Sequence, residues 1–176
     1  GPFLHLNQKE GELQFRCNDM LYIVILKVLL NANTQFNYDY DRLMYIIAEK
    51  ESRFQCQVVD PYGITYGKYQ VTDHLIAANG YKRPMTCEQQ DELMRKLIKM
   101  YEAMGGKYEF TYRRGIWLHK TNLVIAMHFA PYGTIKYLEG GEDFSNGLIS
   151  VSTLLKRYED VNLYKVKTPQ ASVASK

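Results

Sequence analysis

The sequence predicts a mainly α-helical domain with one short loop or small β-hairpin region set among the helices. Three observations carry that prediction. Apolar residues recur at helical spacing, as at Met44, Ile47 and Ala48. Helix start and stop signals bracket such stretches: Thr86 with Gln89 three residues on has the capping-box pattern, and Gly105-Gly106 stands where the following helix should stop. Segments that alternate apolar and polar residues are scarce. With 176 residues the chain can bury one sizeable core, and 46% apolar against 23% charged residues sets it apart from disordered sequences.

The elements follow in order. Residues 1–17 read as an N-terminal extension, and its Gly1-Pro2 start has the form of a tag remnant, ahead of which an export signal would not be visible. A first helix is expected from Asn18 or Asp19 to Leu30, ending in the polar loop 31–37. A second is expected over about 38–54, with Asn37 or Asp39 as its cap. The loop 55–70 carries Pro61, Gly63 and Gly67. A short helix after Thr72 should stop near Asn79-Gly80. The capping box at Thr86 opens a helix reaching about Met104. Thr121 should cap a helix through about Phe129, and Ser150 or Ser152 should begin a last one through Tyr158. The folded domain is thus expected over 18–163, with 164–176, which contains Pro169 and several small residues, as a flexible tail.

Composition narrows the function classes. The net charge is +3, with Lys and Arg spread along the chain, and there is no basic stripe or nucleic-acid recognition motif. No nucleic acid is expected as a partner; a mild positive balance suits approach to an anionic polymer. The longest apolar run, from Leu21 to Leu30, is interrupted by Lys27 and is too short to cross a bilayer. Three cysteines, Cys17, Cys56 and Cys87, form no CxxC pair and have no histidine at metal-ligand spacing, so no zinc or other metal is expected. The odd count leaves at least one thiol free, and the sequence does not decide which two, if any, pair. Fifteen tyrosines suit sugar binding, but tyrosine serves equally as a half-buried core and rim residue.

The candidate chemistry centres on Glu51. Met44, Ile47, Ala48 and Glu51 stand at i, i+3, i+4 and i+7, which puts all four on one helix face, whereas Glu49 is thrown to nearly the opposite side. A carboxylic acid at the inner end of a buried stripe loses solvation, which disfavours its charged form and suits it to donate a proton. The alternative is a glutamate at a fraying helix end, half exposed and salt-bridged to Arg53 or Lys50.

Three segments, in order, carry a resemblance. The first is Ile47-Ala48-Glu49-Lys50-Glu51-Ser52-Arg53-Phe54. The second is Gly63-Ile64-Thr65-Tyr66-Gly67-Lys68-Tyr69-Gln70-Val71. The third is Leu123-Val124-Ile125-Ala126-Met127-His128-Phe129-Ala130-Pro131-Tyr132-Gly133-Thr134-Ile135. They resemble, respectively, the A-x-x-E-S-x-F, G-x-x-G-L-M-Q-I and L-A-L-A-A-Y-N-A-G-x-G-x-V motifs of the lysozyme-like lytic transglycosylases, over roughly residues 39–138. Departures are specific. Lys68-Tyr69 replaces Leu-Met, three residues rather than two separate Gly63 from Gly67, and Thr65 stands where animal-type lysozymes have an aspartate. His128 replaces a tyrosine, Phe129 an asparagine and Pro131 a glycine.

The resemblance implies a lysozyme-like helical fold whose short loop or hairpin lines a sugar groove. It implies Glu51 as the catalytic acid supported by Ser52, and Tyr66, Gly67, Tyr69, Gln70, His128 and Ala130 as substrate-binding residues, with no cofactor. It also implies peptidoglycan glycan strands as the substrate, and a place outside the cytoplasm: the periplasm, the cell envelope, or a virion. Phage and secretion-machine assemblies both use such domains. Tyr66 and Gln70 could instead merely tie the loop to the core. Asp60, before Pro61, reads as a turn former rather than a second catalytic carboxylate. One acid then performs both proton transfers in a transglycosylase, with a hydrolytic lysozyme of goose type and a non-catalytic peptidoglycan-binding module as alternatives. Other catalytic readings lack parts: Asp73-His74 has no nucleophile turn, the cysteines have no signature pairing them with His74, His119 or His128, and the doublets Gly105-Gly106 and Gly140-Gly141 read as stops and turns.

Overall fold

The apolar stripe around Met44 becomes the buried face of helix α1, Tyr40–Ser52, in the computed structural model, which describes residues 36–167. Leu43, Met44, Ile47 and Ala48 are all buried on it, and Asp41 in the first turn and Lys50 in the last complement the helix dipole. The helix starts two residues after the expected position 38, because Phe36–Tyr38 forms a strand instead. That strand, β1, pairs antiparallel with β6, Tyr164–Val166.

The loop after α1 folds back through the two-residue strands β2, Thr65–Tyr66, and β3, Val71–Thr72, an antiparallel hairpin. Helix α2, Asp73–Ala78, follows and stops at Asn79 and Gly80, as expected. Helix α3, Cys87–Gly105, opens on the expected capping box: Gln89 N donates to the Thr86 hydroxyl at 3.1 Å, and Thr86 N donates to the Gln89 amide oxygen at 3.0 Å. Its buried residues Leu93, Met94, Leu97, Ile98 and Tyr101 form one stripe. A short 3₁₀ turn, Gly106–Tyr108, leads into a second hairpin that the helical reading did not contain, β4 (Thr111–Arg113) with β5 (Ile116–Leu118). Its two-residue turn is Arg114-Gly115, both with positive φ, at 51° and 76°. That is the geometry in which short hairpins match strand twist, and glycine reaches it without a Cβ clash.

Helix α4, Lys120–Phe129, is the centre of the core. Every residue from Thr121 to Met127 is buried, and α4 packs against α3, against α5 (Pro131–Leu138) and against α6 (Val151–Arg157). Each large apolar side chain so buried contributes roughly 1.5–3 kcal/mol. The helix begins one residue before the expected cap. Thr121 is inside it, and His119 takes the cap position, its backbone N–H donating to the Asn122 carboxamide at 2.9 Å. Asn122 is fully buried, and its Nδ2 donates to the carbonyls of Trp117 and Leu155. A buried amide there has to bind backbone, which sets β5, α4 and α6 against one another. Pro131 at the first position of α5 starts a new helix directly after α4, its missing N–H being one a helix start does not use. Ser150 caps α6 as expected, its hydroxyl accepting from Thr153 N.

The chain divides into two compact units. One runs from Tyr40 to Glu159 and is shorter at both ends than the expected 18–163. The other, among the described residues, comprises 36–39 and 160–167, and is the β1–β6 ribbon. Within it Tyr38 and Tyr164 meet edge to face at 4.9 Å, Lys165 Nζ pairs with Asp39 at 3.0 Å, and Asp39 N donates to the Leu163 carbonyl. The tail expected from 164 therefore opens as a paired strand, because 36–38 supply a complementary edge. The expected helix over 18–30, the extension 1–17 with Cys17, and the tail beyond 167 lie outside the described residues. The described part is thus mainly helical, with six helices and three two-stranded antiparallel sheets, and none of these helices is long and apolar enough to cross a membrane.

Candidate active site

Helix α1 ends abruptly. Arg53 and Phe54 both take positive φ, 52° and 67°, and their N–H groups turn back to Glu49 O and Ala48 O. Non-glycine residues pay about 1–2 kcal/mol for that conformation, so packing must hold it. Glu51 is left on the last turn, its side chain one-fifth exposed, with Oε1 2.7 Å from Lys50 Nζ. Of the two ion-pair partners the sequence offered, Lys50 is the one in contact.

The hairpin loop between β2 and β3 is bolted to this helix end. Ser52 Oγ donates to the Lys68 carbonyl at 2.6 Å and accepts from Gln55 N at 3.1 Å. From the opposite side, His128 at the end of α4 donates through Nε2 to the Tyr69 carbonyl at 2.6 Å. Its Nδ1 is 3.1 Å from the Tyr101 hydroxyl of α3. Loss of solvent pushes His128 below the ordinary histidine value, against the opposing pull of the Glu51 charge. Burial, with the Glu51 charge adding to it, pushes the Tyr101 phenol up. Both shifts agree with one proton arrangement: Tyr101 donates to Nδ1 of a neutral imidazole, whose Nε2–H donates to the loop.

The loop's own side chains are committed inward. Tyr66 is buried, donates to Gln57 Oε1 at 2.6 Å and accepts from Met85 N at 3.0 Å. Gln70 donates to the carbonyls of Val58 and Gly67 and accepts from the Thr65 hydroxyl. These bonds tie the loop together. Tyr69 is 2% exposed, and its hydroxyl donates to Asp91 at 2.6 Å, so its ring is a floor rather than an open sugar platform. Gly67 and Ala130 are buried as well, and His128 touches loop backbone and Tyr101. Of the residues the resemblance implied, Tyr66, Gly67, Tyr69 and Ala130 are buried, whereas Glu51, Ser52, Gln70 and His128 are half-buried. Asp60 is a turn former as expected, its Oδ1 accepting from Ile64 N and Thr65 N.

Two framing residues went unread in the sequence. Gln90 of α3 is buried and fully used: Oε1 accepts from Lys68 N at 2.7 Å, and Nε2 donates to Cys56 O at 2.8 Å and Met85 O at 3.1 Å. Gly67, at φ 81°, is required there, since a Cβ would come within 2.1 Å of Gln90 Oε1. Asp91, beside it, takes both Lys68 Nζ and the Tyr69 hydroxyl. The available signal was an amide and an acid placed where α3 turns from its exposed start to its buried stripe. Cys56 and Cys87 are disulfide-bonded, with Cα atoms 5.5 Å apart, which encloses the whole loop in a covalent ring. Among the described residues no group of three or more His, Cys, Asp and Glu is placed to hold a metal ion. No family model, curated protein or solved structure matches the chain.

Proposed function

We propose that this protein cuts the glycan strands of peptidoglycan as a lytic transglycosylase, with Glu51 as its single catalytic acid. The observation that carries the reading is convergence. Three segments distant in sequence, the ones that resemble the transglycosylase motifs, are joined around one carboxylate by Ser52 to Lys68 O and His128 to Tyr69 O. Such bonds hold an acid against a loop with the rigidity that proton transfer needs. Asp60 is committed to its turn and Asp91 to Lys68 and Tyr69, which favours a one-acid route.

In that route Glu51 protonates the glycosidic oxygen, and the substrate's N-acetyl group stabilises the sugar cation. The Glu51 carboxylate then takes the proton of the C6 hydroxyl, whose oxygen closes a 1,6-anhydro ring. Lys50, whose Nζ lies 2.7 Å from Oε1, pairs with the carboxylate while Glu51 is ionised, between the two proton transfers, and has to release it when Glu51 carries a proton. An internal hydroxyl competes well with water, since well-oriented internal groups reach effective molarities of about 10⁵ M or more. The Cys56–Cys87 disulfide supports a site of action outside the cytoplasm, in the envelope or on a virion, where such bonds persist. The test is to digest purified sacculi and weigh the released muropeptides. Products lighter by one water than hydrolytic ones are expected. Reducing ends alone would make the enzyme a lysozyme, and pelleting with the sacculi without clearing them would make it a binding module.

A further inference from the structure

A groove of about 300 Å³ opens between α1, the hairpin loop and α3, lined by Asp41, Met44, Tyr45, Phe54, Lys68, Tyr69, Asp91 and Arg95, and Glu51 is not part of it. Its walls combine three features that stability does not call for. Tyr45 and Phe54 touch at 4.7 Å between ring centroids and the Arg42 guanidinium stands 4.8 Å over the Tyr45 ring, yet the two aromatic residues remain 46% and 39% exposed. Phe54 is held there by the positive-φ pair that ends α1, and backbone held in a sparsely populated region recurs at binding sites. Arg95, on the α3 side, makes no hydrogen bond or ion pair among the described residues, and neither does Asp41 on the α1 side. Both line the groove together with the Tyr69 ring at its floor. Nearby, Lys68 is already neutralised by Asp91 at 3.0 Å, so Arg95 is the cation in the groove left open to an anion.

Flat exposed rings match the C–H face of a pyranose, and a free guanidinium matches a carboxylate in a fork. We infer that this groove is a second saccharide site, apart from Glu51, for a sugar whose substituent ends in a carboxylate. The sugar face lies on Tyr45 and Phe54, its carboxylate meets Arg95, and Asp41 accepts from a sugar hydroxyl or amide N–H. In the wall polymer that carboxylate could be the lactyl group of a muramyl residue or an acid of the attached peptide. The inference thus deepens the peptidoglycan reading and rests on it for the polymer's identity.

The test uses the full chain as Glu51→Gln, so that no probe is cut, with Arg95→Gln, Tyr45→Ala or both added. The probes are chitotetraose, which has no carboxylate, a muramyl disaccharide with a free lactyl carboxylate, and the same disaccharide carrying a dipeptide. Arg95→Gln should weaken binding of one or both acidic probes about tenfold and leave chitotetraose unchanged, and the affected probe names the carboxylate. Tyr45→Ala should weaken all three. Unchanged melting temperatures in both variants would tie the losses to the groove. Affinities for every probe that neither substitution alters would overturn the inference. The two readings fail separately: sacculi that wild-type protein leaves uncut while these binding differences persist would remove the transglycosylase and keep the groove.

Discussion

Replacing Gln90 by leucine probes the frame behind the candidate acid without touching the acid itself. Leucine fills nearly the same volume, so the change removes hydrogen bonds rather than packing. Three bonds disappear: from Lys68 N, to Cys56 O and to Met85 O. Met85 O retains the Gln57 amide at 2.9 Å, so two backbone groups, Lys68 N–H and Cys56 C=O, lose the partner Gln90 provides. A buried polar group left unsatisfied costs about 1–3 kcal/mol, which puts the destabilisation for the two groups at about 2–6 kcal/mol. For a domain of this size each kcal/mol lowers Tm by roughly 3 °C, so a drop of about 6–18 °C is expected in thermal unfolding followed by circular dichroism. Clearance of sacculi should fall as well at temperatures where the variant is still folded, because Lys68 N–H belongs to the residue that Ser52 grips. A Tm within about 2 °C of wild type would refute the reasoning, since the loop would then be held without this amide.

Three other outcomes follow from the site. Glu51→Gln should keep the wild-type melting temperature to within a few degrees and lose about a thousandfold or more in sacculus clearance, whereas Glu49→Gln should lose little; equal activity in both would remove Glu51 as the acid. His119 and His128 are both pushed down by burial, so the neutral rings stabilise the fold above the ordinary histidine value of about 6.5, and that contribution fades as pH falls below it. Urea midpoints should therefore drop between pH 7 and pH 5, and drop less in a His119→Gln, His128→Gln double variant, while equal drops would contradict the assignment. Removing the clasp as Cys56→Ala with Cys87→Ala opens a ring of 31 residues' separation, worth about 3–4 kcal/mol in chain entropy, which urea unfolding would read directly.

Local signals in the sequence determined the helices that were read correctly. The capping box at Thr86 and Gln89, the Asn79-Gly80 stop, the Ser150 cap and the stripe through Met44, Ile47 and Ala48 all act over a few residues, and such short-range chemistry survives folding unchanged. The position of Glu51 at the end of that stripe was legible for the same reason, as was Lys50 as a neighbour able to pair with it. Asp60 as a turn former was likewise a matter of four or five residues.

Only the tertiary structure decided what depends on contacts distant in sequence. The hairpin 111–118 escaped the helical reading because its Arg114-Gly115 turn carries a weaker signal than Asn-Gly, and its strands are fixed by pairing with each other. Phe36–Tyr38 is a strand only because Tyr164–Val166 lies across from it, 126 to 130 positions along by the register of their pairs. The cysteine pairing had no answer until the ends of the loop were seen to meet. Most of all, the motif loop looked like a row of sugar contacts, since Tyr66, Tyr69 and Gln70 carry the right groups for it. Tyr66 and Tyr69 are buried and Gln70 is half-buried, and which partners their polar groups meet there, Gln57, Asp91, Val58 and Gly67, depends on what the fold brings to them.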